Sequence, residues 1–351
     1  MIDKLIESKK IKIFTIMTTG RTGSDYLASC LDGVNGVIVF SGKFDHTYFF
    51  KDSIERKNQK TLIYNFLKKK KNLLSYDKIE DIDKNININN FKDLFLKISK
   101  KKMNSKEFLL KLYETYHTIL NRKFKNIRAL VHHSHGLKTT KSFIKDFPEC
   151  GLLITIRDPR ANLKSGLESW WNLDVKYKTI NHIFFYLKRI RNDFNFALKV
   201  KNKKIFIKLE ESNLLKTKKK ICNFLNIKFD KKMMVATIAS KIWNGDKLSK
   251  FKSSKGLFNS SVLDNGWKTF FKKKEVMILD MLYQKYRRYY NIKKISFFDK
   301  FKLFFYIFLP FNCEILILKN NIFNIKFLFD FYIMIKKILY LQLVLFNIAI
   351  K

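Results

Sequence analysis

The sequence is short of acid. Against 71 lysines and arginines it has only 30 aspartates and glutamates, a formal net charge of +41. That balance favours anionic partners: nucleotide, nucleic acid, acidic glycan or anionic lipid. Proline and glycine are scarce as well, at 3 and 11 in 351 residues, while Lys, Asn, Ile and Phe abound. Part of the basicity is therefore compositional, and a run such as Lys68 to Lys71 reads as a solvated face. The four cysteines, Cys30, Cys150, Cys222 and Cys313, lie far apart, which excludes metal or redox spacing. Three of them sit among apolar residues and are expected to pack as small hydrophobes. The first ten residues, MIDKLIESKK, hold no secretory apolar run. A reduced, cytoplasmic compartment is expected. There is no zinc-finger, RNA-recognition or helix-turn-helix pattern, so the charge alone supports the reading as a basic nucleic-acid-binding protein and no specific nucleic-acid partner is expected. No apolar run reaches about 20 residues, the length of a membrane span, and there are no internal repeats.

What is present is organised around residues 11–31, IKIFTIMTTGRTGSDYLASCL. Residues 11–17 are apolar and rich in β-branched side chains, the signature of a buried strand. Thr18-Thr19-Gly20-Arg21-Thr22-Gly23-Ser24 is a tight, hydroxyl-rich turn. Tyr26, Leu27, Cys30 and Leu31 then recur at helical spacing, and Gly33 can end that helix. A strand, a glycine loop and a helix N-terminus form a ready anion site, to which Arg21 adds a permanent charge. The ordinary P-loop pattern is excluded: Gly20 and Gly23 are too close together, no Lys follows Gly23, and no hydroxyl stands in the magnesium-binding place. A nucleotide or phosphoryl-transfer P-loop enzyme is the alternative this disfavours.

Further along, residues 36–40 form a short strand candidate, and residues 48–125 read as a helical insertion with Ser105 capping one helix. Strand character returns at 127–133 and 151–156, bridged by a short helix at 143–147. Asp158-Pro159 starts a helix over 161–171, with Asp as N-cap and Pro at the first helical position. A helix over 179–199, a strand over 204–209 and a helix capped by Ser212 follow. This alternation predicts an α/β fold: a parallel β-sheet flanked by helices, with ligands beyond the carboxyl ends of the strands. Residues 19–24, the histidines at 132, 133 and 135, and residues 157–160 fall at those ends.

Taken together, three segments resemble the sulfotransferases that use 3′-phosphoadenosine 5′-phosphosulfate (PAPS), with the Arg-Thr-Gly-Ser form of carbohydrate sulfotransferases. Arg21-Thr22-Gly23-Ser24-Asp25-Tyr26-Leu27 is similar to the 5′-phosphosulfate loop. Residues 153–165, LITIRDPRANLKS, resemble the 3′-phosphate motif, with Arg157 and, eight residues on, Ser165. Residues 206–227 resemble the strand–acidic–helix segment that follows. Lys255-Gly256 with Gly266-Trp267-Lys268 is a fainter match to the basic loop over the 3′-phosphate. The resemblance covers residues 11–290. It implies a P-loop NTPase-like sulfotransferase fold, a catalytic domain over 1–291, and an enzyme moving a sulfuryl group from PAPS to a glycan or glycolipid hydroxyl without a metal. Under it, Arg21, Thr22, Gly23, Ser24, Asp25, Tyr26, Arg157, Ser165, Lys255 and Gly256 bind the nucleotide, and Tyr26 takes the place of an adenine-stacking aromatic. Asp25 departs from the pattern, because a carboxylate beside a phosphate is repelled unless it turns away. For the base that takes the acceptor's proton, His135 is the first candidate and His133 the second, since an imidazole titrates in the useful range.

After residue 291 the texture changes. Residues 303–311 and 327–350 are too apolar for ordinary surface helices, yet Lys319, Lys326, Lys336 and Lys337 interrupt the region. Interfacial helices on an anionic membrane surface are expected, with lysines reaching to headgroups; a helical cap on the core is the alternative.

Overall fold

A computed structural model of the chain describes residues 2–8, 10–40, 42–50, 56–248, 255–263, 266–321 and 326–346. Five strands form the central sheet: β1 (Lys12–Thr18), β2 (Val37–Val39), β3 (Ala129–His135), β4 (Gly151–Ile156) and β5 (Lys204–Lys208). Their order is β2-β3-β1-β4-β5, and every pairing is parallel. The expected parallel sheet flanked by helices is therefore present. From β1 the chain crosses to one side of the sheet, and from β4 to the other. The topological switch lies between these two neighbours, with Thr18 opposite Thr155 near their carboxyl ends. That is where such sheets bind ligands.

In chain order the helices of eight or more residues among the described residues are α1 (Ser24–Leu31), α2 (Gln59–Lys70), α3 (Ile88–Ile98), α4 (Ser105–Ile119), α5 (Leu137–Asp146), α6 (Pro159–Leu173), α7 (Ile180–Lys199), α8 (Leu215–Leu225), α9 (Lys273–Leu282), α10 (Phe297–Tyr306), α11 (Asn312–Asn321) and α12 (Lys326–Leu345). Three differ from the sequence reading. Asn104, not Ser105, caps α4: its side chain accepts the Glu107 N–H while Glu107 reaches back to the Asn104 N–H, a reciprocal box that places Ser105 inside the helix. α5 starts at Leu137 rather than 143, because Thr139 and Thr140 return their hydroxyls to the Gly136 carbonyl and leave few apolar residues to reveal the period. Ser212 does not cap α8; its hydroxyl bonds the Leu209 carbonyl, and the helix begins at Leu215.

The chain divides into two compact units, Met1–Thr18 with Thr22–Ile156 and Val200–Leu263, and Thr19–Arg21 with Arg157–Lys199 and Asp264–Lys351. The first holds the sheet. Strand alternation sends successive residues to opposite faces. Ile38 and Leu130 face an aromatic core built with the insertion, including Phe66, Phe91, Phe95, Phe108, Tyr113 and Tyr116. Val37, Val39 and Val131 face Leu27 and Leu31 of α1 and Ile221 of α8. The same alternation sends His132 towards Tyr113 and Phe143, and His133 towards α1.

In the second unit, the buried residues of α10–α12 include Leu303, Ile317, Ile333, Tyr340 and Leu341. Tyr340 packs edge-on to Phe184 of α7 and accepts a hydrogen bond from Arg191 at 3.3 Å. Lys337, expected to reach towards headgroups, is instead buried and paired with Glu314. Its position on α12 faces α11, where an uncompensated carboxylate would otherwise be buried. Among the described residues no helix is long and apolar enough to cross a membrane; residues 347–350 of the apolar stretch lie outside the described residues.

Candidate functional site

Buried side chains hold the residues of the loop after β1 within each unit. In the first unit the Thr22 hydroxyl bonds the Thr18 hydroxyl at 2.6 Å and the Thr155 hydroxyl at 2.7 Å, so a buried chain of three hydroxyls ties the loop to β1 and β4. Thr22 thus spends its side chain on the scaffold and leaves its backbone to the loop. Gly23 is the N-cap of α1 with φ 77°, left-handed, and a Cβ there would stand 2.5 Å from Leu209. Only glycine fits this turn without strain. With α1 starting at Ser24, its first-turn N–H groups have no intrahelical acceptor and the helix dipole adds partial positive charge.

In the second unit Arg21 is held through its backbone: its N–H donates to Asn162 Oδ1 at 2.9 Å, and Asn162 Nδ2 donates to the Thr19 carbonyl at 2.8 Å. Asn162 is fully buried on α6. It was not singled out in the sequence, although a lone amide between Ala161 and Leu163 on a buried helix face is a detectable signal. α6 begins as expected, with Asp158 as N-cap and Pro159 first in the helix. Arg157, the residue after β4, is 8% exposed, and Ser165 is half-buried on α6. Arg160, inside the same motif, is a structural clamp. It pairs with Asp158 at 2.7 Å and Asp280 at 3.0 Å, donates to the Asn291 carbonyl, and lies 4.0 Å over the Trp267 ring.

Tyr26 is largely buried in the first unit. Phe258 meets its ring edge-on at 5.2 Å, the Lys218 ammonium lies 4.8 Å over it, and its hydroxyl donates to Asn213 at 3.2 Å. Lys255-Gly256 is pinned nearby in the chain fold: Gly256 N–H donates to Asn244 Oδ1 at 3.1 Å, and its carbonyl accepts from Ala236 at 2.8 Å.

The histidines separate by role. His132 is core: its Nδ1 is 2.9 Å from the Tyr113 hydroxyl, its ring stacks on Phe143, and burial holds its pKa well below the ordinary value. His133 is 1% exposed, neither ring nitrogen makes a hydrogen bond among the described residues, and burial pushes it down to about 4. His135 is half-buried at the end of β3. The register between β1 and β3 shifts there, pairing Ile16 with His133 and Met17 with His135. Ser134 is the extra residue of this bulge, bonded to the Thr15 hydroxyl at 2.6 Å, and His135 has φ 66°. Such a backbone in a non-glycine residue is held only by over-determined surroundings.

Asp25 turns its carboxylate to this side. Lys43, just after β2, stands 3.0 and 3.1 Å from its two oxygens, and His133 Nδ1 is 3.7 Å from Oδ1. Burial alone would raise the Asp25 carboxyl; Lys43, His133 and His135 outweigh it and hold it well below the usual carboxylate range. Glu80, from the insertion, joins the group, and burial with the neighbouring Asp25 charge pushes it up to about 8. Asp25, Glu80 and His133 line a cavity of about 20 Å³, room for one water. The donor atoms of Asp25, His133 and His135 lie within 4.8 Å of one another, a composition known from metal sites, but the Lys43 ammonium already supplies the local cation. Neither Lys43 nor Glu80 was legible in the sequence, because each meets Asp25 only through long-range folding.

No protein-family model and no curated protein sequence matches the chain. Among solved structures the fold is similar to that of sulfotransferase domains. One, from the curacin biosynthetic pathway, is 12% identical with a TM-score of 0.47, over 74% of this chain and 92% of that one. A second, from the Synechococcus PCC 7002 olefin synthase, is 13% identical with a TM-score of 0.38, over 84% and 94%. A third, a sulfotransferase from Mycobacterium avium, is 12% identical with a TM-score of 0.41, over 83% and 80%. These are likenesses of architecture.

Proposed function

We propose that the chain is a sulfotransferase that moves a sulfuryl group from PAPS to a hydroxyl of a glycan or glycolipid, with no divalent metal. The observation that carries this reading is the build of the loop from 19 to 24. Thr22 turns its hydroxyl inward, Gly23 takes a left-handed turn, and α1 begins at Ser24 with its first N–H groups free of intrahelical partners. That is an anion cradle without the Lys and magnesium-binding hydroxyl of phosphoryl-transfer loops.

In this reading the loop N–H groups and Arg21 meet the charge that develops on the leaving phosphate oxygen. Arg157 and Ser165 serve the 3′-phosphate. The acceptor oxygen bonds to sulfur as the bond from sulfur to the bridging oxygen breaks. The bridging oxygen keeps the electron pair, and the hydroxyl proton passes to a ring nitrogen of His135. His135 suits this better than His133, whose burial keeps it from any acceptor.

The exposed faces of α10 and α12 support peripheral attachment to the cytoplasmic face of an anionic membrane. Phe297, Phe298 and Phe301 are 83%, 79% and 67% exposed, and exposed Lys300, Lys302 and Lys336 accompany them. An apolar face rimmed by lysines matches an anionic interface.

The test is retention on an adenosine 3′,5′-bisphosphate resin, followed by mass detection of sulfate added from PAPS to membrane-derived glycans. Elution by the free nucleotide and not by DNA is expected. Elution by DNA alone would favour a nucleic-acid-binding protein, and activity lost in EDTA and restored by magnesium would favour phosphoryl transfer.

A further inference from the structure

Asp25 lies in the first turn of the helix whose N-terminus forms the anion cradle, a place where a carboxylate and a phosphate repel. Its side chain is committed elsewhere, to Lys43 on one side and to His133 and His135 of β3 on the other. We propose that Asp25 is a positioning residue for the His135 base, fixed by Lys43 and facing the histidine pair, so that it stabilises the imidazolium formed when His135 takes the acceptor's proton. This rests on the sulfotransferase reading above.

The geometry supplies the parts. α1 brings Asp25, the segment after β2 brings Lys43, and the bulged end of β3 brings His133 and His135, with ring centroids 5.5 Å apart. His133 is buried, neither of its ring nitrogens makes a hydrogen bond among the described residues, and its Nδ1 lies 3.7 Å from the Asp25 carboxylate. Among the described residues, the other titratable groups facing Asp25 and Lys43 are Glu80, from the insertion, and Asp246, with Asp77 next to Glu80. Glu80 is held protonated near neutral pH, so Asp25 is an ionised carboxylate beside the histidines. A carboxylate within about 4–6 Å of an imidazole favours its charged form by about one pH unit or more.

The test is a proton NMR pH titration of the histidine ring signals in the full chain, which has six histidines, with His135 assigned by its loss in His135→Gln. Asp25→Asn should lower the His135 midpoint by about one pH unit. Asp25→Glu should restore it, and Lys43→Met, which removes the opposing cation, should raise it. In turnover with PAPS and a glycan acceptor, Asp25→Asn should lower kcat more than it changes KM and shift the acid limb of the pH profile downward, with kcat recovered in Asp25→Glu. An unmoved His135 midpoint in folded Asp25→Asn overturns the proposal; if that variant does not fold, an unmoved midpoint in Lys43→Met does so. A moved midpoint with an unmoved pH profile also overturns it. The titration needs no donor or acceptor, so failure to bind adenosine 3′,5′-bisphosphate would sink the sulfotransferase reading and leave the midpoint shift readable.

Discussion

Asn162 holds Arg21 by the backbone: the amide oxygen accepts the Arg21 N–H at 2.9 Å, and the amide nitrogen reaches the Thr19 carbonyl at 2.8 Å. One buried side chain thus satisfies a donor and an acceptor two residues apart, and sets the turn that carries the guanidinium. Asn162→Ala should strand both groups, at about 1–3 kcal/mol for each one left unsatisfied. A lower denaturation midpoint with weaker adenosine 3′,5′-bisphosphate binding is the expected outcome, measured by urea unfolding and calorimetry. Gly20→Ala should act on the same clamp, since its Cβ would lie 2.6 Å from Asn162 Oδ1 and φ is +128°. Unchanged stability in both variants would show that the clamp is dispensable.

Arg21 and Arg157 should fail differently. Arg157→Ala should weaken nucleotide binding by roughly 1.5–3 kcal/mol, the worth of a charge-assisted contact. Arg21→Ala should act mainly on kcat, because its charge is needed as the bridging oxygen leaves. Calorimetry with adenosine 3′,5′-bisphosphate separates the two. Equal affinity of Arg157→Ala and the unaltered chain would refute the 3′-phosphate role.

Glu80 should make stability depend on pH. Burial and Asp25 raise it from an ordinary 4.5 to about 8 in the folded chain. The folded state therefore keeps a proton that the unfolded chain releases above about pH 4.5, and the stabilisation is lost as pH rises through about 8. Glu80→Gln should flatten the dependence of Tm on pH across that window and raise Tm at about pH 9. A slope unchanged by the substitution would assign it to another group.

The exposed aromatic face of α10 should decide membrane binding. Replacing Phe297, Phe298 and Phe301 by Ser should reduce co-sedimentation with phosphatidylglycerol vesicles more than tenfold, since each buried Phe contributes about 1.5–3 kcal/mol. Their 83%, 79% and 67% exposure means that Tm should hardly move. If binding persists, or if the unaltered chain ignores anionic vesicles, the face has another purpose.

The sequence by itself determined the sheet and the loop. Residues 13–17 and 151–156 are almost wholly apolar, and β1 and β4 lie there because a strand buried on both faces needs nothing else. Asp158-Pro159 and the Gly-punctuated turn at 20–23 carry their geometry locally, as a cap and a left-handed φ, so they were legible too. Caps were legible only where no neighbour competed: Ser105 and Ser212 are good capping residues, but Asn104 with Glu107, and the Leu209 carbonyl, took their places. Tertiary structure alone decided what the histidines face. Alternation along β3 sends His132 to Tyr113 and His133 to α1, and one bulge residue, Ser134, turns His135. Lys43 and Glu80 reach Asp25 from 18 and 55 positions away in the chain. No local pattern encodes such a meeting, because its energy comes from burying charges together and exists only once the sheet and insertion have closed around them.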